Sequence, residues 1–391
     1  MEEWKEYSIH DITRRVKVGF VGSCENDYCS INDKDAIPMI RTTDLTNYII
    51  HFDNQKFVTK EFHEKNIKSQ LHKHDLLIAR HGDNGKTCIY ESDEPANCLN
   101  VIIIEPDNNK CDYKFLKYMF DSSSVKNILS GTLVGSVQPV LNTKTVENLI
   151  IKIPPLPIQK KIAAILSSLD DKIELNNKIN TNLEQQAQAL FKNWFVDFEP
   201  FGGKMPAEWK VGKLSDIAEI TMGQSPDGKS YNEDGIGTVF YQGRAEFGTR
   251  FPTRRLFTTE PKRIAHKFDT LMSVRAPVGD LNIANEECCI GRGLAAMHSK
   301  DDHQSFVHYT VQALRPQLDV FNGEGTVFGC INKDALNNMD IVIPTKEELE
   351  RFEKIVATLD ADIYNRSKEN DRLKNIRDTL LQKLMNGEIE V

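Results

Sequence analysis

The chain has 391 residues, of which 40% are hydrophobic, and a formal net charge of −8. That length suffices for two or three domains, and the acidic balance argues against simple coating of nucleic acid while leaving room for a local basic face. No apolar run approaches the roughly 18 residues that span a membrane, the start MEEWKEYS has no signal-peptide core, and the eight cysteines form no CxxC pair. The expectation is a cytoplasmic protein with free thiols.

Residues 1–152 read as a first globular segment. Short β-like runs, Leu76–Ala79 and Val101–Ile104, are separated by turn signals such as Gly82-Asp-Asn-Gly85, and a helix is expected from Tyr113 to Leu129. Residues 153–199 read as one long helix. Pro157 suits its first turn, and Ile162, Leu166, Leu169, Ile173, Leu183, Ala187, Leu190 and Trp194 recur at steps of four and three, with Asn176 and Asn180 as a polar middle. Such a helix would be roughly 50 to 60 Å long, so its seam requires a partner helix. Residues 200–206, PFGGKMP, read as a linker, and 207–343 as a second globular segment with a helix near Ser305–Leu314. Residues 344–391 read as a second long helix, opened by Thr345 and Glu348 at capping-box spacing and stopped at Asn386-Gly387.

The two halves are copies of one unit. Adding 190 to each seam position gives Phe352, Val356, Leu359, Ile363, Arg366, Asn370, Leu373, Arg377, Leu380 and Leu384, again apolar with a polar middle. Leu169-Asp170 likewise matches Leu359-Asp360, and Ile153-Pro154 matches Ile343-Pro344. Glu3-Trp4-Lys5 matches Glu208-Trp209-Lys210 at an offset of 205, so the first copy carries about 15 extra residues. A pseudo-twofold repeat predicts antiparallel pairing of the helices. Asn176 then faces Asn370, Asn180 faces Arg366, Ile162 faces Leu384 and Trp194 faces Phe352.

Basic residues concentrate within both globular segments. Between Arg244 and Arg275, eight Lys or Arg stand against three acids, interleaved with Phe247, Phe251 and Phe257. Both copies also contain a related loop, His72-Lys-His-Asp75 leading to Arg80 and His266-Lys-Phe-Asp269 leading to Arg275, in which a strand ends in an arginine ahead of a glycine-bearing turn. Such islands suit phosphate neutralisation and base-edge contacts. The candidate DNA contacts are Arg41, Lys73, Arg80, His81 and Lys86 in the first segment and Arg244, Arg250, Arg254, Arg255, Lys262, Arg263 and Arg275 in the second. Gly291-Arg-Gly293-Leu-Ala-Ala296 fits a loose dinucleotide pattern without an evident βαβ setting. His72-x-His74 and His303-x4-His308 lack companion ligands at convincing spacing and read as surface histidines. No nucleophile, phosphate-loop or methyl-donor motif is evident, so no catalytic, cofactor or metal residue is assigned and the chain reads as a binder.

The run IPPLPIQKKIAAILSSLDDKI (153–173), with NLEQQAQALFKNWF (182–195), MPAEWKVGKLSDI (205–217) and IGRGLAAM from Ile290, resembles the specificity subunit of type I restriction-modification systems over essentially the whole chain. The C-terminal copy departs from it, because Ile343-Pro344-Thr-Lys-Glu-Glu lacks the PPLPxQ wording. The resemblance implies an α+β fold with two target-recognition domains and two long helices forming an antiparallel coiled coil. It implies a sequence-specific reader of a bipartite double-stranded DNA target, itself without catalytic residues. Two modification subunits would dock on the helices, and restriction subunits would complete the complex. S-adenosylmethionine, ATP and magnesium are expected in those partners. The alternatives are a standalone DNA methyltransferase or nuclease with two recognition domains, or a coiled-coil scaffold that binds no DNA.

Overall fold

A two-stranded antiparallel ribbon closes each half of the chain. The computed structural model describes residues 4–46, 48, 50, 55–80, 85–131, 141–322 and 329–391. It divides into unit 1, residues 1–175 with 370–391, and unit 2, residues 176–369.

The strands of unit 1 are β1 (Lys5–Ser8), β2 (Thr13–Val18), β3 (Tyr28–Cys29), β4 (Ile37–Arg41), β5 (Lys56–Val58), β6 (Leu76–Ala79), β7 (Thr87–Ile89), β8 (Asn97–Leu99), β9 (Val101–Pro106) and β10 (Ile150–Ile153). Those of unit 2 are β11 (Lys210–Lys213), β12 (Ala218–Met222), β13 (Tyr231–Asn232), β14 (Thr238–Tyr241), β15 (Leu256–Thr258), β16 (Ile264–Ala265), β17 (Thr270–Ser273), β18 (Leu281–Ile283), β19 (Cys288–Ile290), β20 (Leu294–Ser299) and β21 (Asp340–Ile343). β1 pairs with β10 and β11 with β21. The sheet β2-β9-β6-β7 corresponds strand for strand to β12-β20-β17-β18, and β3-β5-β4-β8 to β13-β15-β14-β19, to which unit 2 adds β16. Both smaller sheets contain one parallel pair, β4 with β8 and β14 with β19.

Strand alternation makes two cores in each unit. Leu76, Ile78, Ile102 and Ile104 join the helices, while Leu77, Ala79, Val101 and Ile103 face Ile40 and Cys98 of the smaller sheet. In unit 2, Met272, Ala295 and Met297 serve the first role, and Leu271, Leu294 and Ala296 the second.

The long helices span Leu156–Phe195 and Lys346–Met385, 40 residues each. The second stops at Gly387, whose φ of +70° is the left-handed conformation that ends helices. In unit 1, Ile162, Ala163 and Leu166 of the first helix share a core with Leu381, Leu384 and Met385 of the second. In unit 2, Trp194 and Phe195 pack on Phe352 at ring-centroid distances of 6.0 and 5.0 Å, with Ala187 and Val356 in the same core. Within each unit the two helices therefore run antiparallel. Along the seam Ile173, Asn176, Ile363 and Asn370 are buried, while Leu169, Asn180, Leu183, Leu190, Leu359, Leu373 and Leu380 are half-buried.

One pairing of the polar layer differs from expectation. Asn176 Nδ2 donates to Glu369 at 2.8 Å, and Asn180 bonds Ser367 rather than Arg366. The Arg366 guanidinium reaches across to Asn176 of the first long helix at 3.5 Å and back along its own helix to Asp362 at 3.2 Å, as its long side chain allows.

One other expectation changes. The helix read from Tyr113 to Leu129 is two helices, Tyr113–Asp121 and Ser123–Gly131, broken at Ser122, which takes an extended conformation with its hydroxyl on the Met119 carbonyl. The segment 200–206, read as a linker, begins within a short 3₁₀ turn at Glu199–Phe201; Phe201 lies 4.8 Å from Trp209, and Gly202 and Gly203 take left-handed backbone.

Candidate nucleic-acid interface

In both units a strand of the smaller sheet runs into a short 3₁₀ turn whose third residue is a buried acid. β4 leads to Thr42–Asp44, where Asp44 accepts the Arg41 N–H at 2.8 Å and grips its guanidinium at 3.0 and 2.7 Å. β14 leads to Arg244–Glu246, where Glu246 accepts the Gly243 N–H at 3.2 Å and holds Arg255 at 2.6 Å. Hydrogen bonding to these acids raises the pKa of both arginines. A guanidinium gripped by a carboxylate is held in one orientation.

A second arginine arrives from the larger sheet. Arg80 follows β6 and donates from Nε to the Leu141 carbonyl at 3.0 Å. Arg275 follows β17 and is exposed, and its side chain makes no hydrogen bond or ion pair among the described residues. In unit 2 these parts surround a depression of about 300 Å³ lined by Gln242, Gly243, Arg244, Arg255, Arg275 and Gly293. Gly291 and Gly293 lie there for lack of space. A Cβ on either would come within 2.9 Å of Gln242 backbone atoms, so the Gly-x-Gly pattern reflects close strand crossing.

The basic island of unit 2 is less positive than its sequence window. Acids from outside the window reach it: Asp280 lies 3.0 Å from Arg244, and Glu286 grips Arg254 at 2.5 and 2.6 Å. Lys267 stacks on Phe268 and Tyr364, both at 4.6 Å, whereas Lys262 and Arg263 are exposed without an ion pair among the described residues. In unit 1, Lys73 is paired with Asp93 at 2.5 Å, Lys86 is half-buried, and His81 lies outside the described residues.

Arg250 does not belong with the candidate DNA contacts. Its side chain is only 6% exposed, with Nη2 2.5 Å from Asp360 and 3.2 Å from the Tyr309 hydroxyl, and Nη1 3.1 Å from Glu184. A guanidinium so enclosed cannot reach a duplex. Unit 1 has the matching acid–tyrosine pair: Tyr118 donates to Asp170 at 2.7 Å, and Arg377 meets the same carboxylate at 2.7 Å. Sequence reading missed these clamps, although the matched Leu-Asp pairs at 169–170 and 359–360 were their trace.

The shared His-Lys-x-Asp loop is a structural turn. Its third residue, His74 or Phe268, is left-handed with φ of 72° or 74°, and Asp75 or Asp269 accepts the first residue's N–H at 2.8 Å in both. His72, Asp75 and Glu105 bring ligand atoms within 4.8 Å of one another, the geometry of a cation site. The Arg15 guanidinium already occupies the space between the carboxylates, at 2.5 Å from Asp75 and 3.2 Å from Glu105.

Two copies of one α+β reader, each presenting held arginines at loop ends and each supported by antiparallel helices, define a class of duplicated recognition proteins. The sequence profile of the type I restriction modification DNA specificity domain matches residues 1–185 and 206–375, and the chain belongs to that family. A Methanocaldococcus jannaschii protein named for the specificity subunit of type I restriction enzyme MjaX is 31% identical over 408 residues, covering 100% of this chain and 94% of its own. The Haemophilus influenzae type I restriction enzyme HindI specificity subunit is 27% identical, with 100% of both chains covered. The crystal structure of a type I restriction-modification S subunit from M. genitalium shares the fold with a TM-score of 0.58 at 17% identity, over 98% of this chain and 96% of that one. Specificity subunits recognise DNA and are not themselves catalysts.

Proposed function

We propose that each unit reads one half of a two-part double-stranded DNA target, and that two modification subunits dock on the long helices. The carrying observation is the duplication itself: the family profile matches twice, and each match has the same strand order and, after a strand of the smaller sheet, a buried acid that holds an arginine, Arg41 in unit 1 and Arg255 in unit 2. On this reading Arg244, Arg255 and Arg275 face DNA in unit 2, with Arg254, Lys262 and Arg263 along the backbone. Arg41, Arg80, Lys73, Lys86 and His81 serve unit 1. Arginine at such a place donates bidentately to guanine or to a phosphate. The two sets differ in residue and spacing, so the half-sites differ in sequence.

The test is methylome sequencing of a host carrying this gene with its modification partner, before and after exchange of residues 207–343 for the corresponding segment of a relative. The expected result is a methylated motif of two unlike halves, only one of which changes on exchange. A motif that changes in both halves, or in neither, overturns the assignment.

A further inference from the structure

Both units tie a loop of the reader to a long helix at one position of the repeat. Tyr48 stands four residues after Asp44, and Arg250 four residues after Glu246. The Tyr48 hydroxyl donates to Asp171 on the first long helix, and the Lys117 ammonium lies 5.4 Å from its ring. Arg250 reaches Asp360 on the second long helix and Glu184 on the first. Its backbone is also fixed, since the Arg250 carbonyl accepts the Ile283 N–H of β18 at 2.9 Å.

A buried ion pair recovers little net stability over an apolar replacement of similar volume, because its desolvation offsets its attraction. What it fixes is direction. Arg250 lies between Arg244 and the Arg254-Arg255 pair, and Glu246 holds Arg255 across the base of the same loop. With Glu246 gripping one end and the helices gripping the middle, the loop has little freedom left. We infer that Tyr48 and Arg250 are positioning residues for DNA recognition: they touch no DNA, and each sets the placement of its unit's DNA-facing loop by anchoring it to the long helices. This inference rests on the DNA reading proposed above.

The test selects bound sequences from a randomised duplex library, using the full chain assembled with its modification subunits, and sequences what is retained. Wild-type complex should enrich two half-sites. Arg250→Met should lower enrichment at one half-site about tenfold, the weight of one base contact, and leave the other sharp. Arg250→Lys should restore part of it, and Asp360→Asn should reproduce the loss without adding to Arg250→Met. Tyr48→Phe and Asp171→Asn should blur the opposite half-site. The intact half-site in each variant certifies folding and assembly. Two sharp half-sites in both Arg250→Met and Tyr48→Phe overturn the inference. So does a fall of about 0.9 in the salt slope of binding for Arg250→Met, which marks a lost phosphate contact. A wild-type complex that enriches no motif overturns the DNA reading itself.

Discussion

Asp170 and Asp360 occupy the same place in the two units, each accepting from a tyrosine of the reader, yet the cation that meets them differs in origin. In unit 1 the nearest is Arg377, from the other long helix, 24% exposed, with Lys117 of the reader farther off at 3.9 Å; in unit 2 it is Arg250, from a reader loop, 6% exposed. One acid–tyrosine pair thus locks helix to helix in one copy and loop to helix in the other. After duplication, the acid at this place sets a requirement for positive charge that either neighbour can meet. The copies also differ around their matched tryptophans. Trp209 is buried against Phe195, Phe198 and Phe201, whereas Trp4 is half-buried beside an open groove of about 860 Å³.

The tryptophans give the largest expected contrast. Trp209→Ala removes the centre of a closed aromatic cluster and should destabilise unit 2 by about 3 to 5 kcal/mol. Trp4→Ala should cost unit 1 less than half of that, because water already reaches its ring. Denaturant-dependent hydrogen exchange, read separately on peptides of each unit, measures both, and equal losses would break the contrast. The acids come next. Asp360→Ala leaves Arg250 buried with Glu184 alone and should cost about 3 to 5 kcal/mol. Asp170→Ala should cost at least about 1 kcal/mol less, since Arg377 can turn to solvent. The same exchange measurement decides, and a larger loss for Asp170→Ala would reverse the comparison.

On the surface proposed to face DNA, Arg275→Ala should weaken binding by about 1 to 3 kcal/mol. Arg80, with Nε spent on the Leu141 carbonyl, should lie at the low end of that range. Titration with duplex DNA at fixed salt checks this, and unchanged affinity for both variants would return these loops to a structural role. The smallest effect is the response to pH. His308, read from the sequence as a surface histidine, is buried, as is His303, and this burial, aided by the nearby Arg250 charge, pushes the His308 pKa well below its usual value. The folded state therefore holds His308 neutral while the unfolded state takes up a proton below about pH 6.5. Its contribution is present above that pH and is lost as pH falls, by about 1.4 kcal/mol per unit. Urea denaturation at pH 7.5 and 5.5 should show this loss in unit 2, and His308→Gln should remove it. An unchanged pH dependence in the variant would assign the effect to another group.

The periodic parts of the molecule were legible in sequence. Two seams at offset 190, short alternating strands and a matched opening around Trp4 and Trp209 specified a duplicated α+β fold with antiparallel helices. The site was legible in kind only. Composition located the arginines, but whether an arginine faces solvent depends on acids far away in sequence. Arg250 is ion-paired with Glu184 and Asp360, 66 residues before and 110 after it, and no window around it contains them. The His-Lys-x-Asp likeness misled for the opposite reason: local backbone geometry alone accounts for it. Asp44 and Glu246 escaped notice because a capping acid and a solvated one look alike until burial is known.

The ribbons that close the units bear on inheritance. Lys5 lies beside Ile153 across β1 and β10, and Lys210 beside Ile343 across β11 and β21, so each reader starts and finishes at neighbouring points. A segment held this way can change length without displacing the backbone that carries it. The first reader spans 148 residue steps between its ribbon ends and the second 133, and both ribbons pair four residues in unbroken register. Recombination within a ribbon would thus deliver a whole reader, whose remaining demand on the scaffold is its packing and clamps against the long helices. New DNA specificities in such a lineage can arise by exchange of a block, with no gradual passage through half-functional loops.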